Sequence, residues 1–255
     1  MEPQPQSYAI PVAIVIAGVL VAGAVLWGRT PTASPIVGQG QTQQPLPVAS
    51  TAELIKNVPL ATASEHILGN PSAPVSVIEY SDIECPFCRR FHPSMQQIMS
   101  TYGAQGKVSW TYRQFPLSIH PKAYPEALAA ECVAGQYDNT AFWKFTSALM
   151  DLNPEKDAST FPTAVISDDL TAEERVATAA KKLGLDNTKI AACVTAETYK
   201  SKLDALRTEA TNAGLGQNQT GTPYSVIISG NKRVLIDGAQ PYEVVKQMID
   251  TALKG

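Results

Sequence analysis

Hydrophobic and polar positions change rhythm several times along this chain. Residues 9–27 carry no charge, and a helix over that run rises about 28 Å, close to one hydrocarbon thickness, so it predicts a membrane span behind a short tail, residues 1–8. From 28 to 60 the periodicity is lost. Pro31, Pro35, Pro45, Pro47 and Pro59 punctuate this stretch, glutamines crowd 39–44, and Arg29, Glu53 and Lys56 are its charges, which is the composition of a linker. If about 30 of its residues are flexible, it lets whatever follows range roughly 30 Å. At 75–80 a dense apolar run reads as a buried strand, with Asp82, Ile83 and Glu84 as the turn leading out of it. Phe91, Met95, Ile98 and Met99 then recur at helical spacing until Gly103; Pro86 suits the first helical position and Pro93 is expected to kink the interior.

Residues 107–113 alternate as a second strand. Two more, 224–229 and 233–236, flank a turn at Gly230 and Asn231, and a closing helix opens at Pro241 with Val244, Val245, Met248, Ile249 and Leu253 on one side. Between 117 and 221 the signals are helical throughout: 127–133, 142–150, 172–183 behind a capping box of Thr171 and Glu174, 188–194 and 199–213. A strand-to-strand crossover needs only about a dozen residues. This one is far longer, which predicts an inserted helical subdomain within an α/β domain spanning 61–255.

The chain has 255 residues, 44% of them hydrophobic, enough for one core with an inserted subdomain. Its net charge of −3 supplies no basic patch and argues against nucleic acid as a partner. No internal repeat is visible. At the N-terminus, the length of the apolar run, the absence of Lys or Arg ahead of it and the lack of a small-x-small site after Trp27 favour a retained anchor over a cleaved signal. Either way the rest of the chain is exported. Arg29 after the span and Glu2 before it lean weakly the other way, but four cysteines fit an oxidising, extracytoplasmic compartment.

The chemistry centres on Cys85-Pro86-Phe87-Cys88. Two thiols two residues apart, just past a strand, can open and close a disulfide. Cys85 falls at a helix N-terminus, where unpaired N–H groups and the helix dipole stabilise a thiolate, so it is the expected nucleophile. Cys88 lies one turn deeper on the same face and is the expected resolving thiol. The alternative is half of a zinc site, but no second CxxC or HxxxH exists, and His92 completes a C-x2-C-x3-H spacing that still lacks a fourth ligand. No metal or cofactor is therefore expected. Glu79, six residues before Cys85 in an apolar strand, is either a buried carboxylate able to shuttle protons to and from Cys88 or an exposed strand-edge residue. Arg89 and His92 read as solvated helix residues that add positive charge near the thiolate, and His120 as a structural loop histidine. Cys132 and Cys193, both on predicted insertion helices, form a structural disulfide or remain two buried thiols; closing a loop of about 60 residues contributes about 4 kcal/mol at most.

Four motifs in this order, Glu79 to Cys88, Tyr112-Arg113-Gln114-Phe115-Pro116-Leu117, Ala130-Glu131-Cys132 followed by Phe142-Trp143, and Gly221-Thr222-Pro223, resemble the DsbA-like thiol:disulfide oxidoreductases of the thioredoxin superfamily, especially their membrane-anchored bacterial members. The resemblance covers about residues 64–254. It implies a thioredoxin fold with a helical insertion at about 117–221, and Pro223 as a cis-proline facing the CxxC. It further implies that the Thr222 backbone pairs with an extended client chain, with Pro86 and Phe87 also at the client-binding surface. An acidic residue at the Glu79 position and cysteines at 132 and 193 also occur in the family. What the family implies about function is an oxidase that donates its disulfide to exported, reduced proteins and is reoxidised by a membrane-embedded, quinone-linked partner. Phe87 stands where the best-known oxidase has a histidine, which removes one thiolate stabiliser and implies milder oxidising power. A reductase or isomerase of the same fold, or a binding module with a structural CxxC, are the rival readings.

Overall fold

A computed structural model describes residues 51–152, 170–216 and 220–255. The expected tail, the anchor at 9–27 and most of the expected linker lie outside the described residues. Among the described residues no helix is long and apolar enough to cross a membrane.

Five strands form one sheet in the order β1-β3-β2-β4-β5. β2 (Val75–Ser81) lies at its centre, parallel to β3 (Val108–Gln114) and antiparallel to β4 (Tyr224–Ser229); β1 (His66–Gly69) and β5 (Lys232–Asp237) are the antiparallel edges. A central strand is covered on both faces, and β2 alternates accordingly. Val75 and Val77 face a core shared with α2 (Pro86–Ile98), the insertion and α8 (Tyr242–Lys254), whereas Ile78 and Tyr80 face a second core with Val226, Ile228 and Ala213. Period two therefore puts Glu79 on the α2 side.

The parallel β2–β3 connection runs through α2 and a π-helical turn, Met99–Gly103. Helix α2 continues through Pro93. The insertion between β3 and β4 contains α3 (Ala123–Gln136), α4 (Asn139–Leu152), α5 (Ala172–Leu183), α6 (Asn187–Thr195) and α7 (Lys200–Asn212). Helix α5 starts at the Thr171–Glu174 capping box and ends at Gly184, whose φ of 68° closes the helix in the left-handed region. Cys132 on α3 and Cys193 on α6 are joined by a disulfide.

Two features depart from the sequence pattern. The expected linker to residue 60 ends earlier: a short helix α1 (Thr51–Leu54) and a 3₁₀ turn (Ile55–Asn57) precede Val58, and Ile55 and Val58 are buried in the second core. Their side chains cover the sheet face opposite α2, and the Arg113 guanidinium donates to the Pro59 carbonyl at 3.2 Å, so this segment packs despite its linker-like composition. Strand β1 was absent from the pattern because four residues are too few to show a period, and pairing with β3 alone defines it.

Candidate functional site

The chain leaves β2 at Ser81 and turns through Asp82, Ile83 and Glu84 before Cys85. Cys85 is the N-cap of α2, with extended φ −69° and ψ 123°, and Pro86 occupies the first turn, where its missing N–H leaves no bond unmade. The Asp82 side chain shapes this turn: Oδ1 accepts from the Glu84 N–H at 2.7 Å and the Cys85 N–H at 3.1 Å. An aspartate bonding the backbone two and three residues on is a local turn device.

Cys85 and Cys88 are both free thiols and both buried, at 3% and 0% exposure. Their environments nevertheless separate them. The Cys85 pKa is lowered to about 7, chiefly because the Cys88 side chain donates to its sulfur; burial opposes this, while the Thr222 side chain and the Cys88 N–H assist. Cys88 is pushed the other way, first by burial, then by its hydrogen bond to Cys85 and by the negative charges of Cys85, Asp82 and Glu79; the Asp82 N–H donates to its sulfur at 3.4 Å. The pair thus divides into an acidic thiol at the helix start and a reluctant one beneath it.

Across from Cys85 stands the Thr222–Pro223 peptide, which is cis. The Cys85 thiol donates to the Thr222 carbonyl at 3.5 Å. Beside this contact a groove of about 340 Å³ runs between Phe87 and Arg90 on one wall and residues 220–224 and 237–239 on the other. The Arg90 guanidinium lies over the Phe87 ring, 5.1 Å from its centroid.

Glu79 is fully buried beneath the thiols, which rules out the strand-edge alternative. Its Oε2 accepts from the Trp110 indole N–H at 2.8 Å. Burial raises its pKa to about 7, with bonds from Ser81 and Trp110 opposing and the Cys85 charge adding. A carboxyl titrating there can take or give a proton at neutral pH.

Three sequence readings change. His92 is not solvated: it lies on the buried face of α2 at 5% exposure, its Nε2 is 2.8 Å from Ser147 Oγ, and burial lowers its pKa to about 4, so it adds no charge near the thiolate. Arg89 is half-buried. His120 is more than a loop brace, because its Nδ1–H donates to Asp82 Oδ2 at 2.9 Å. Sequence reasoning took Asp82 and Glu84 only as turn residues, with no role for their side chains, and did not single out Glu126. All three are buried; Glu84 Oε2 accepts from the Lys122 N–H at 2.7 Å, and Glu126 pairs with Arg175 at 2.7 Å. Two acids in a turn directly ahead of a CxxC were the available signal, since burying acids requires donors the turn itself cannot supply. Among the described residues no cluster of His, Cys, Asp and Glu is arranged to hold a metal ion.

Comparison with known proteins agrees with this architecture. A family model described as thioredoxin matches residues 61–251. The Na(+)/H(+) antiporter NhaA 1 of Mycolicibacterium gilvum is 36% identical over 85 residues, 33% of this chain but only 13% of that protein, so the chain matches a small fraction of the antiporter's length. Disulfide bond formation protein D of Bacillus subtilis is 23% identical over 190 residues, covering 74% of this chain and 77% of its own. The crystal structure of α-DsbA1 from Wolbachia pipientis superposes with a TM-score of 0.61 at 21% identity, over 78% of this chain and 96% of that one.

Proposed function

The chain belongs to the thioredoxin family, and from that premise we propose that it is a DsbA-like thiol:disulfide oxidoreductase working as an oxidase that introduces disulfides into exported proteins. The observation that carries this reading is the opposed tuning of the two thiols. A Cys85 thiol lowered to about 7 favours the reduced pair, and a pair that prefers to be reduced gives up its disulfide readily.

In the oxidised enzyme a client thiolate attacks Cys85 Sγ. The Cys85–Cys88 bond breaks, and Cys88 leaves as a thiolate that takes a proton from Glu79. A second client thiolate then attacks the client sulfur of the mixed disulfide and expels the Cys85 thiolate. The client loses two electrons and gains a disulfide; the enzyme gains both electrons. During this exchange the client backbone lies along Thr222 and Pro223, with Pro86 and Phe87 flanking the attacked sulfur; the groove of about 340 Å³ beside Thr222 supports that placement. The Cys132–Cys193 bridge is structural and takes no part. Residues 9–27 tether the domain to the cytoplasmic membrane on its extracytoplasmic side, and a membrane-embedded, quinone-linked protein reoxidises Cys85 and Cys88.

Measuring the reduction potential of the Cys85–Cys88 pair in the full chain tests the direction of flow. A value toward about −120 mV supports the oxidase, and one near about −270 mV makes the protein a reductase. Oxidative refolding of a reduced client, run with the Cys85→Ser variant alongside, tests exchange itself: equal rates in the two would leave the CxxC a structural bridge.

A further inference from the structure

One buried carboxylate near the thiols has no part in the exchange just described. Asp82 is 1% exposed, yet its two oxygens accept four hydrogen bonds. Oδ1 takes the N–H groups of Glu84 and Cys85, on the CxxC turn. Oδ2 takes the Leu117 N–H at 2.7 Å and the His120 Nδ1–H at 2.9 Å, on the loop after β3. A second link, from the Lys122 N–H to Glu84 Oε2, ties the same loop to the same turn. The His120 side chain keeps 15% of its surface in solvent, so its proton can exchange while Asp82 stays sealed.

We propose that Asp82 and His120 form a charge-compensating pair that positions the Cys85 turn and sets, through the proton on His120, how readily the Cys85 thiolate forms. The inference rests on the reading of Cys85 as the exchanging thiol. While His120 is an imidazolium, the pair carries no net charge. When His120 loses its proton, the Asp82 carboxylate stands uncompensated in a low-dielectric setting and opposes a second negative charge on Cys85. Both cysteines feel that carboxylate as a charge that raises their pKa. Reciprocally, although burial lowers the His120 pKa, the Asp82 bond and charge and then the Cys85 charge raise it above its ordinary value, and Glu84 adds to them. The groups facing the pair are therefore Cys85, Cys88 and Glu84, with Glu126 on α3 and Tyr112 on β3 also coupled to Asp82. The consequence is a thiolate that persists into mildly acidic surroundings, because acid charges the residue that compensates Asp82. Asp82 and His120 are positioning residues in this scheme, since neither touches the client.

The test is titration of the Cys85 thiolate by its ultraviolet absorbance in the reduced full chain. The His120→Asn variant retains a donor for Asp82 and removes the titrating ring; its Cys85 midpoint rises by about one pH unit, which lowers the thiolate fraction at pH 6.5 roughly eightfold. Asp82→Asn moves the midpoint down by about as much, and in that background His120→Asn shifts it far less. Opposite signs separate charge compensation from simple bracing, which would move both variants alike or neither. Should either variant misfold, the wild type still decides: by linkage the His120 midpoint, read by NMR, lies higher in the reduced protein than in the oxidised one. Equal His120 midpoints in the two redox states, or same-sign shifts in the variants, overturn the proposal. A wild-type Cys85 that titrates like an ordinary cysteine would instead sink the underlying reading, which keeps the two failures distinct.

Discussion

A titrating carboxyl buried near a pair of cysteine thiols affects both stability and, on the proposed mechanism, rate, and Glu79 is the residue where the two are separable. Burial raises its pKa from 4.5 to about 7. Between those values the folded state holds a proton that the unfolded state has released, so the Glu79 contribution to stability is fully present below about pH 4.5 and is lost as pH rises to about 7, by about 3 kcal/mol in all. Glu79→Gln keeps an oxygen for the Trp110 indole and removes the titration. Urea unfolding of this variant should show a flatter pH profile across that window. Stopped-flow formation of the mixed disulfide between oxidised enzyme and a client thiol, the step in which Cys88 leaves, should slow at pH 7 on the order of 100-fold, the low end of what a positioned acid contributes. A variant as fast as the parent would assign Cys88 another proton source. The residue scale also shows where sequence reading stops: the Glu79 side chain is on the α2 face by alternation alone, but which residue bonds it in the interior is decided by β3, which brings Trp110 alongside.

Elements with strong local signals formed where the pattern placed them. Strand 224–229 and helix 172–183 have the same ends in sequence and structure because a turn, a capping box and a glycine stop are local devices. Helix α3 is different. The pattern begins it at 127, yet it starts at Ala123 with no side-chain cap; its first turn is ordered instead by the Lys122 N–H donating to Glu84 on a distant turn. The pairing of α3 with α5 is carried by Glu126 and Arg175, both completely buried and 2.7 Å apart. Burial raises the Glu126 pKa to about 8 while the Arg175 charge lowers it, so removing Arg175 leaves a buried carboxyl that must hold its proton or stand as an unpaired charge, without its partner in either case. Arg175→Met should therefore lower unfolding stability by about 3–5 kcal/mol, and adding Glu126→Gln should restore part of the loss, both measurable by urea denaturation.

At the scale of the molecule, a thioredoxin-type sheet carries the CxxC, and the insertion between β3 and β4 shares the core on its α2 side. The Cys132–Cys193 bridge spans 61 residues inside that insertion. Replacing both cysteines by alanine should cost up to about 4 kcal/mol on the chain-entropy account while leaving the Cys85–Cys88 potential unchanged; a shifted potential would mean that the bridge communicates with the site. Readable along the chain were the features that neighbouring residues encode together: the cysteine pair at a strand-to-helix turn, the alternating strands, the capped helices and the length of the insertion. Which groups meet across the chain was settled by folding alone. His120 reaches Asp82 across 38 positions, Thr222 meets Cys85 across 137, and residues from 55 to 58 leave an apparent linker to seal the sheet. The physical reason is that periodicity records which face of an element avoids water, whereas a buried polar group must also find a partner, and that partner arrives from wherever the fold returns the chain.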